Sequence, residues 1–143
     1  MSSPILVAGR ILPVPDPISE PYWTATTRGE LLIQHCAVCD FFDFYPRPFC
    51  RKCAGELTWR KASGNGTIYS FTVVRQSRTA PFDQLVPYVV ALVDLDEGPR
   101  MMTNIVDCAA ADVNIGQRVT ITFAGEVEGV ALPFFRPMEE PSP

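Results

Sequence analysis

The sequence is short of most features that announce a function. It has one histidine, His35, in 143 residues, so imidazole-based acid–base or triad chemistry has a single residue to draw on. No hydrophobic run is long: the longest clean apolar stretch is Val89 to Val93, far below the roughly 20 residues that cross a bilayer. Basic excess is absent, with 12 Lys and Arg against 16 Asp and Glu and a formal charge of −4, which opposes a general nucleic-acid footprint. Nothing near the start reads as a secretory leader, because Pro4 and Arg10 flank an apolar run of residues 5–8 that is too short for a signal core. A cytoplasmic protein without a membrane span is expected.

Cysteine is scarce as well, five residues in all, but four of them are gathered as Cys36-Ala-Val-Cys39 and Cys50-Arg-Lys-Cys53. A C-x-x-C turn aims two thiolates at one point, and a second such turn on a short β-excursion completes a tetrahedron around Zn²⁺. Cys36, Cys39, Cys50 and Cys53 are therefore the expected metal ligands. Iron fits the same four-thiolate cage. The competing readings are disulfides, for which a secretory context is missing, and a redox thiol pair, which comes singly and in a βαβ setting that the pattern lacks. Closed coordination leaves no open position, so the ion is expected to act as a folding staple and not as a Lewis acid. Asp40 follows the first knuckle where glycine often takes the left-handed turn, and Ala54-Gly55 follows the second.

Charge is uneven along the chain. Arg47, Arg51, Lys52, Arg60, Lys61, Arg75 and Arg78 face one acid, Glu56, between residues 45 and 78, whereas three basic residues face ten acidic ones from 79 onward. Four zinc thiolates would bring the net charge to about −6. Cations gathering around a dianionic cluster explain the stretch in one way. A seat for phosphates or another anion explains it in another, with Arg47, Arg51, Lys52, Arg75 and Arg78 as its contacts.

Taken in order, residues 1–30 read as a proline-rich arm and a short helix with Ser19 as N-cap, Glu20 at its start and Gly29 as its stop. Trp23 is expected to dock against a neighbour. Residues 31–62 read as the ribbon, with strands at Leu31 to His35 and Leu57 to Lys61 around the aromatic excursion Phe41, Phe42, Phe44, Tyr45 and Phe49. Those aromatics are more than a small ribbon needs: they fill a seam with the following unit, or they form a patch for a partner, together with Trp23. After the turn Ser63-Gly64-Asn65-Gly66, residues 63–136 alternate as five strands, Thr67 to Arg75, Tyr88 to Leu95, Arg100 to Val106, Arg118 to Phe123 and Val130 to Phe135, with a small helical insert at Ala109 to Asn114. Tyr88 to Leu95 reads as a buried, nearly continuous run. That order matches an OB-fold barrel, so the expected fold is mainly β. Residues 137–143 read as a tail.

The helix ending in Gly-Glu-Leu, the double C-x-x-C, Ala62-Ser63-Gly64-Asn65-Gly66-Thr67-Ile68-Tyr69-Ser70-Phe71-Thr72, Pro87-Tyr88 and Ile115-Gly116-Gln117-Arg118-Val119 together resemble the domain-of-unknown-function-35 family. That family joins a rubredoxin-like zinc ribbon to an acyl-CoA-associated OB-fold. The resemblance runs from residue 18 to about 135 and implies a non-catalytic accessory subunit beside a thiolase-like enzyme acting on CoA thioesters, with acyl-CoA a possible ligand.

The residues agree on catalysis. His35 adjoins Cys36 and reads as a residue flanking the metal or packing at the ribbon edge. Cys108 reads as an inert thiol, and Asp94, Asp96 and Glu97 as a solvated turn. No catalytic residue is expected. The alternative function, single-stranded nucleic-acid binding with Tyr69, Phe71 and Phe82 as stacking platforms, suits both modules but meets the acidic balance.

Overall fold

The structure, a computed structural model, describes residues 10–139. The arm before Arg10 and the end of the tail after Glu139 lie outside the described residues. The first element is helix α1, Glu20–Thr27. Ser19 does not cap it with its side chain. The chain caps one turn earlier, where Ser19 N donates to Asp16 Oδ1 (2.7 Å) and Asp16 N donates to Ser19 Oγ (3.1 Å). This reciprocal pair is a capping box on Asp16, with Pro17 in the first position, where a missing N–H costs nothing. At the other end Gly29 has φ +73°, and Glu30 N and Gly29 N donate to the carbonyls of Ala25 and Thr26. That is a Schellman stop, for which glycine supplies the left-handed residue. Tyr22 is the buried anchor, and the half-buried Trp23 packs against the same core and meets Tyr22 edge-on at 4.8 Å. Thr26 Oγ1 donates to Trp23 O (2.6 Å) and accepts from Ala131 N (3.1 Å), tying the helix to the far end of the chain.

Three strands follow as a small antiparallel sheet: β1 (Leu32–Cys36), β2 (Phe42–Asp43) and β3 (Leu57–Lys61), in the order β2-β1-β3. The remaining strands are β4 (Asn65–Val74), β5 (Tyr88–Leu95), β6 (Arg100–Ile105), β7 (Arg118–Phe123) and β8 (Pro133–Pro137). They close as a barrel in the order β4-β5-β6-β8-β7, with β6 and β8 parallel and the other pairs antiparallel. This is the OB-fold order, and the fold is mainly β with one short helix. The helical insert is smaller than expected, a single 3₁₀ turn at Ala110–Asp112. Among the described residues no helix is long and apolar enough to cross a membrane.

Strand β5 is not buried on both sides. Val89, Ala91, Val93 and Leu95 point inward, while Val90 and Leu92 are half-buried on the outer face. A barrel strand has only one core side, so a continuous apolar run must leave alternate residues outside. A register shift between Ile68 and Ser70 marks a bulge at Tyr69, which bends β4 and leaves Tyr69 outside.

The Ser-Gly-Asn-Gly turn has a steric basis. Gly64 has φ +83°, and a Cβ there would meet Ile121 Cγ2 at 2.6 Å. At Gly66 it would meet Val93 Cγ1 at 2.6 Å and the Asp94 carbonyl oxygen at 2.7 Å.

One core runs through all parts. Tyr22 of the helix, Leu31 and Ile33 of the ribbon, and Ile68, Val93, Met101, Val119 and Phe135 of the barrel belong to one cluster. Full burial of side chains such as Leu31 and Ile33 stabilises by about 2 kcal/mol each. The ribbon is thereby fixed to the barrel wall, and the excursion between its knuckles meets α1 where Phe44 packs edge-on against Tyr22 at 5.8 Å.

Candidate functional site

The two knuckles are built alike. Asp40 N donates to Cys36 O (2.8 Å) and Cys36 N to Phe41 O (2.9 Å); Ala54 N donates to Cys50 O (2.8 Å) and Cys50 N to Gly55 O (2.9 Å). Asp40 and Ala54 occupy the equivalent left-handed position, at φ 60° and 61°. Ala54 takes the left-handed turn of the second knuckle, and Gly55 beside it serves a different need. A Cβ at Gly55 would lie 3.1 Å from Cys36 Sγ, from Cys53 Sγ and from Val38 Cγ2, so its hydrogen keeps room for the sulfurs.

The four Sγ atoms lie within 4.8 Å of one another. Cys36 and Cys53 are 3.4 Å apart and Cys39 and Cys50 3.6 Å. A tetrahedron of thiolates at about 2.3 Å from zinc has edges of about 3.8 Å, so this donor set fits a metal. Cys36 and Cys50 are buried and Cys39 and Cys53 exposed.

Backbone N–H groups of the turns, led by those of Cys39 and Cys53 respectively, lower the Cys36 thiol and bring Cys50 down to about 7. Burial and the neighbouring thiols push Cys39 up to about 12, and the sulfur of Cys36 helps to raise Cys53. Four thiolates do not ionise together at this distance without a cation, and a bound metal ion would supply the missing charge.

His35 stands behind the cluster. Its Nε2 is 2.6 Å from Asp40 Oδ1 and its ring packs on Phe42 with centroids 4.5 Å apart. Cys108 is half-buried, and its thiol is raised by burial and by Asp112 and Asp107, which disfavours the nucleophilic thiolate.

The basic stretch is divided. Asp43, 7% exposed, accepts from Arg47 Nε (3.1 Å) and Arg51 Nε (2.9 Å) through one oxygen. Gln34 grips the Arg47 backbone from both sides, donating to its carbonyl (2.9 Å) and accepting from its N–H (2.7 Å). Arg51 and Lys52 lie over the Phe41 ring at 4.9 and 4.2 Å. Asp40, Phe41, Asp43, Arg47 and Arg51 border a cleft of about 560 Å³ whose other wall is the β5–β6 turn with Glu97, Gly98, Pro99 and Arg100. Arg75 and Arg78 are exposed and follow Val74, which pairs with Tyr88 at the other end of β5. The length of β5, roughly 20 Å, separates the two groups.

Sequence reasoning missed Asp43 and Gln34, the residues that orient the arginines. Only the four-residue spacing from Asp43 to Arg47 hinted at one of them.

The acidic turn is solvated, with Asp94 and Asp96 each 40% exposed, and its carboxylates are also paired. Asp94 accepts from Arg100, which also stacks on Tyr69 at 3.3 Å. Asp96 accepts two bonds from Arg118, and Glu97 accepts from Ser63 N (2.8 Å).

The aromatic excursion does two things. Phe42 and Phe44 pack against the core, and Phe44 meets Tyr22 and Tyr45 edge-on at 5.8 and 5.3 Å. Tyr45 is 59% exposed and Phe49 57%. Tyr45 and the half-buried Trp23 border a second groove, of about 340 Å³, between α1, the excursion, β6 and β8.

Two family descriptions match in succession: a ChsH2 rubredoxin-like zinc ribbon domain over residues 23–59 and a ChsH2 C-terminal OB-fold domain over residues 59–124. The chain is 39% identical over 98 residues to a DUF35 domain-containing scaffold protein of Methanothermobacter thermautotrophicus, covering 67% of this chain and 73% of that one. It is 36% identical over 118 residues to a probable enoyl-CoA hydratase alpha subunit of Thermomonospora curvata, covering 81% of this chain but only 36% of the relative's length. Among solved structures, an Ltp2-ChsH2(DUF35) aldolase chain superimposes with TM-score 0.78 at 33% identity, covering 88% of this chain and 98% of that one.

Proposed function

Since this chain belongs to the DUF35 family, a zinc ribbon joined to an OB-fold, we propose that it is a non-catalytic accessory subunit of a thiolase-like enzyme complex acting on CoA thioesters. The observation that carries this is chemical. Four thiols converge on one metal site with no position left over, and the only imidazole in the sequence lies behind that site against Asp40. Acyl transfer through a cysteine needs a thiolate with its own base, and Cys108 is raised, not activated. The printed names of the relatives, a scaffold protein, a hydratase alpha subunit and an aldolase chain, support a role beside an enzyme.

In this proposal Cys36, Cys39, Cys50 and Cys53 hold zinc. When bound, the ion supplies structural cross-linking of the two knuckles and no open coordination site. Residues 31–62 and 63–136 act as two modules sharing one core. Reduced thiols suit a cytoplasmic location. Arg47, Arg51 and Lys52 are proposed as contacts for CoA phosphates, with Asp43 holding the two guanidinium groups in place. Arg75 and Arg78 would form a separate contact.

Against the nucleic-acid alternative, Tyr69 carries Arg100 on its ring, Phe71 packs against the core, and Phe82 has the Arg10 guanidinium 5.0 Å from its centroid.

The test is reconstitution. The full chain and a thiolase-like subunit from the same host are purified separately, mixed, and assayed on acyl-CoA substrates with metal content measured in parallel. A stable complex with turnover confined to the enzyme subunit or the complex is expected. Turnover by the isolated chain, or no association, would overturn the proposal.

A further inference from the structure

The second groove carries an unusual charge arrangement. Its lining includes Trp23, Tyr45, Met102, Asn104 and Phe134, and its only charged residue is Arg10. The Arg10 guanidinium sits 5.0 Å from the Phe82 ring centroid and 5.3 Å from that of Phe134, and its Nη2 donates to Asn104 Oδ1 at 3.3 Å. Asn104 is itself oriented by donating to Val89 O at 2.8 Å. No carboxylate pairs with Arg10 among the described residues. Its Nε is buried without a partner, and burial lowers its pKa. In a chain with net charge −4, every other arginine around the nearby cleft has found an acid. A half-buried cation with no carboxylate beside it among the described residues, set against an apolar wall, favours a partner that brings the opposite charge.

The groove does not end at Arg10. Met102, 62% exposed, stands on the outer face of β6, directly opposite the half-buried Leu92 of β5. Apolar surface therefore runs out of the groove onto the barrel wall. A small ligand would leave that wall uncovered, whereas a protein segment covers both.

We infer that this groove is the docking slot for the enzyme subunit, and that the docked segment is apolar or aromatic with an Asp, Glu or terminal carboxylate placed on Arg10. The inference rests on the accessory role proposed above and names the surface and chemistry of that contact.

The experiment uses full chains. Affinity of the purified thiolase-like subunit is measured for the wild type, Arg10→Gln, Arg10→Lys and Met102→Glu, with thermal unfolding confirming that each variant is folded. A photo-crosslinking residue at position 102 then identifies the docked segment. Losses of at least about tenfold are expected for Arg10→Gln and Met102→Glu, and a smaller loss for Arg10→Lys. The cross-link should reach a segment with an acid beside an apolar residue. Wild-type affinity in both Arg10→Gln and Met102→Glu would overturn the slot while leaving the accessory role intact. Loss in Met102→Glu alone would overturn the carboxylate, and cross-linking only to a second copy of this chain would overturn the occupant. No binding by the wild type would overturn the accessory role and the slot together.

Discussion

Replacing Gly55 by alanine tests the metal centre without removing a ligand. Gly55 is not in the left-handed region, so alanine meets no backbone strain there. Its new Cβ would lie 3.1 Å from Cys36 Sγ and Cys53 Sγ, one from each knuckle. Ordinary contact is about 3.5–4.0 Å, so each sulfur must give by a few tenths of an ångström, at or beyond the ~0.2 Å tolerance of a metal–ligand distance. The strain falls on both knuckles at once, because Cys50 N donates to Gly55 O at 2.9 Å. Overpacking of this kind costs about 1–3 kcal/mol, and metal affinity should fall about tenfold to a hundredfold. Competition against a coloured chelator at fixed pH reads that change directly, and Ala54→Gly, which relieves a φ of 61°, is the control that should hold or raise affinity. An alanine variant that binds metal as tightly as the wild type would refute the steric account of the site.

Stripping the metal removes a contribution on the order of 10 kcal/mol, comparable with a whole domain's stability. Hydrogen exchange should then show β1 and β3 losing protection while β5 and β6 keep theirs, and retained protection in β1 would contradict a structural metal. Gly66→Ala drives a Cβ into Val93 and the Asp94 carbonyl and should lower the melting temperature by about 6–9 °C; calorimetry showing no change would mean that β4 and β5 yield. Asp96 is held below the ordinary carboxylate range by its bonds from Arg118. A depressed folded-state pKa stabilises above the unfolded value and is lost as pH falls through the folded one, so the denaturation midpoints of wild type and Asp96→Asn should differ at pH 7 and converge below about pH 4.

By itself the sequence determined what depends on local spacing and local sterics. Each C-x-x-C knuckle closes within its own six residues, the bounds of β3 and β7 follow from local strand pattern, and those of β5 from an apolar run ended by the Asp96 to Pro99 turn. Gly29 as a helix stop was readable for the same reason.

Tertiary structure decided what depends on residues far apart in the chain. Ser19 reads as a cap, but Asp16 captures it one turn earlier. Gly55 reads as a turn glycine, yet its role is set by the sulfur of Cys36. The basic residues from Arg47 to Arg78 form one stretch in sequence, and barrel closure sends Arg75 and Arg78 to the other end of β5. Arg10 acquires its setting only because β6 and β8 bring Asn104 and Phe134 beneath it. Local pattern specifies which groups a segment offers, while desolvation and pairing depend on which distant segment the closed core presses against it.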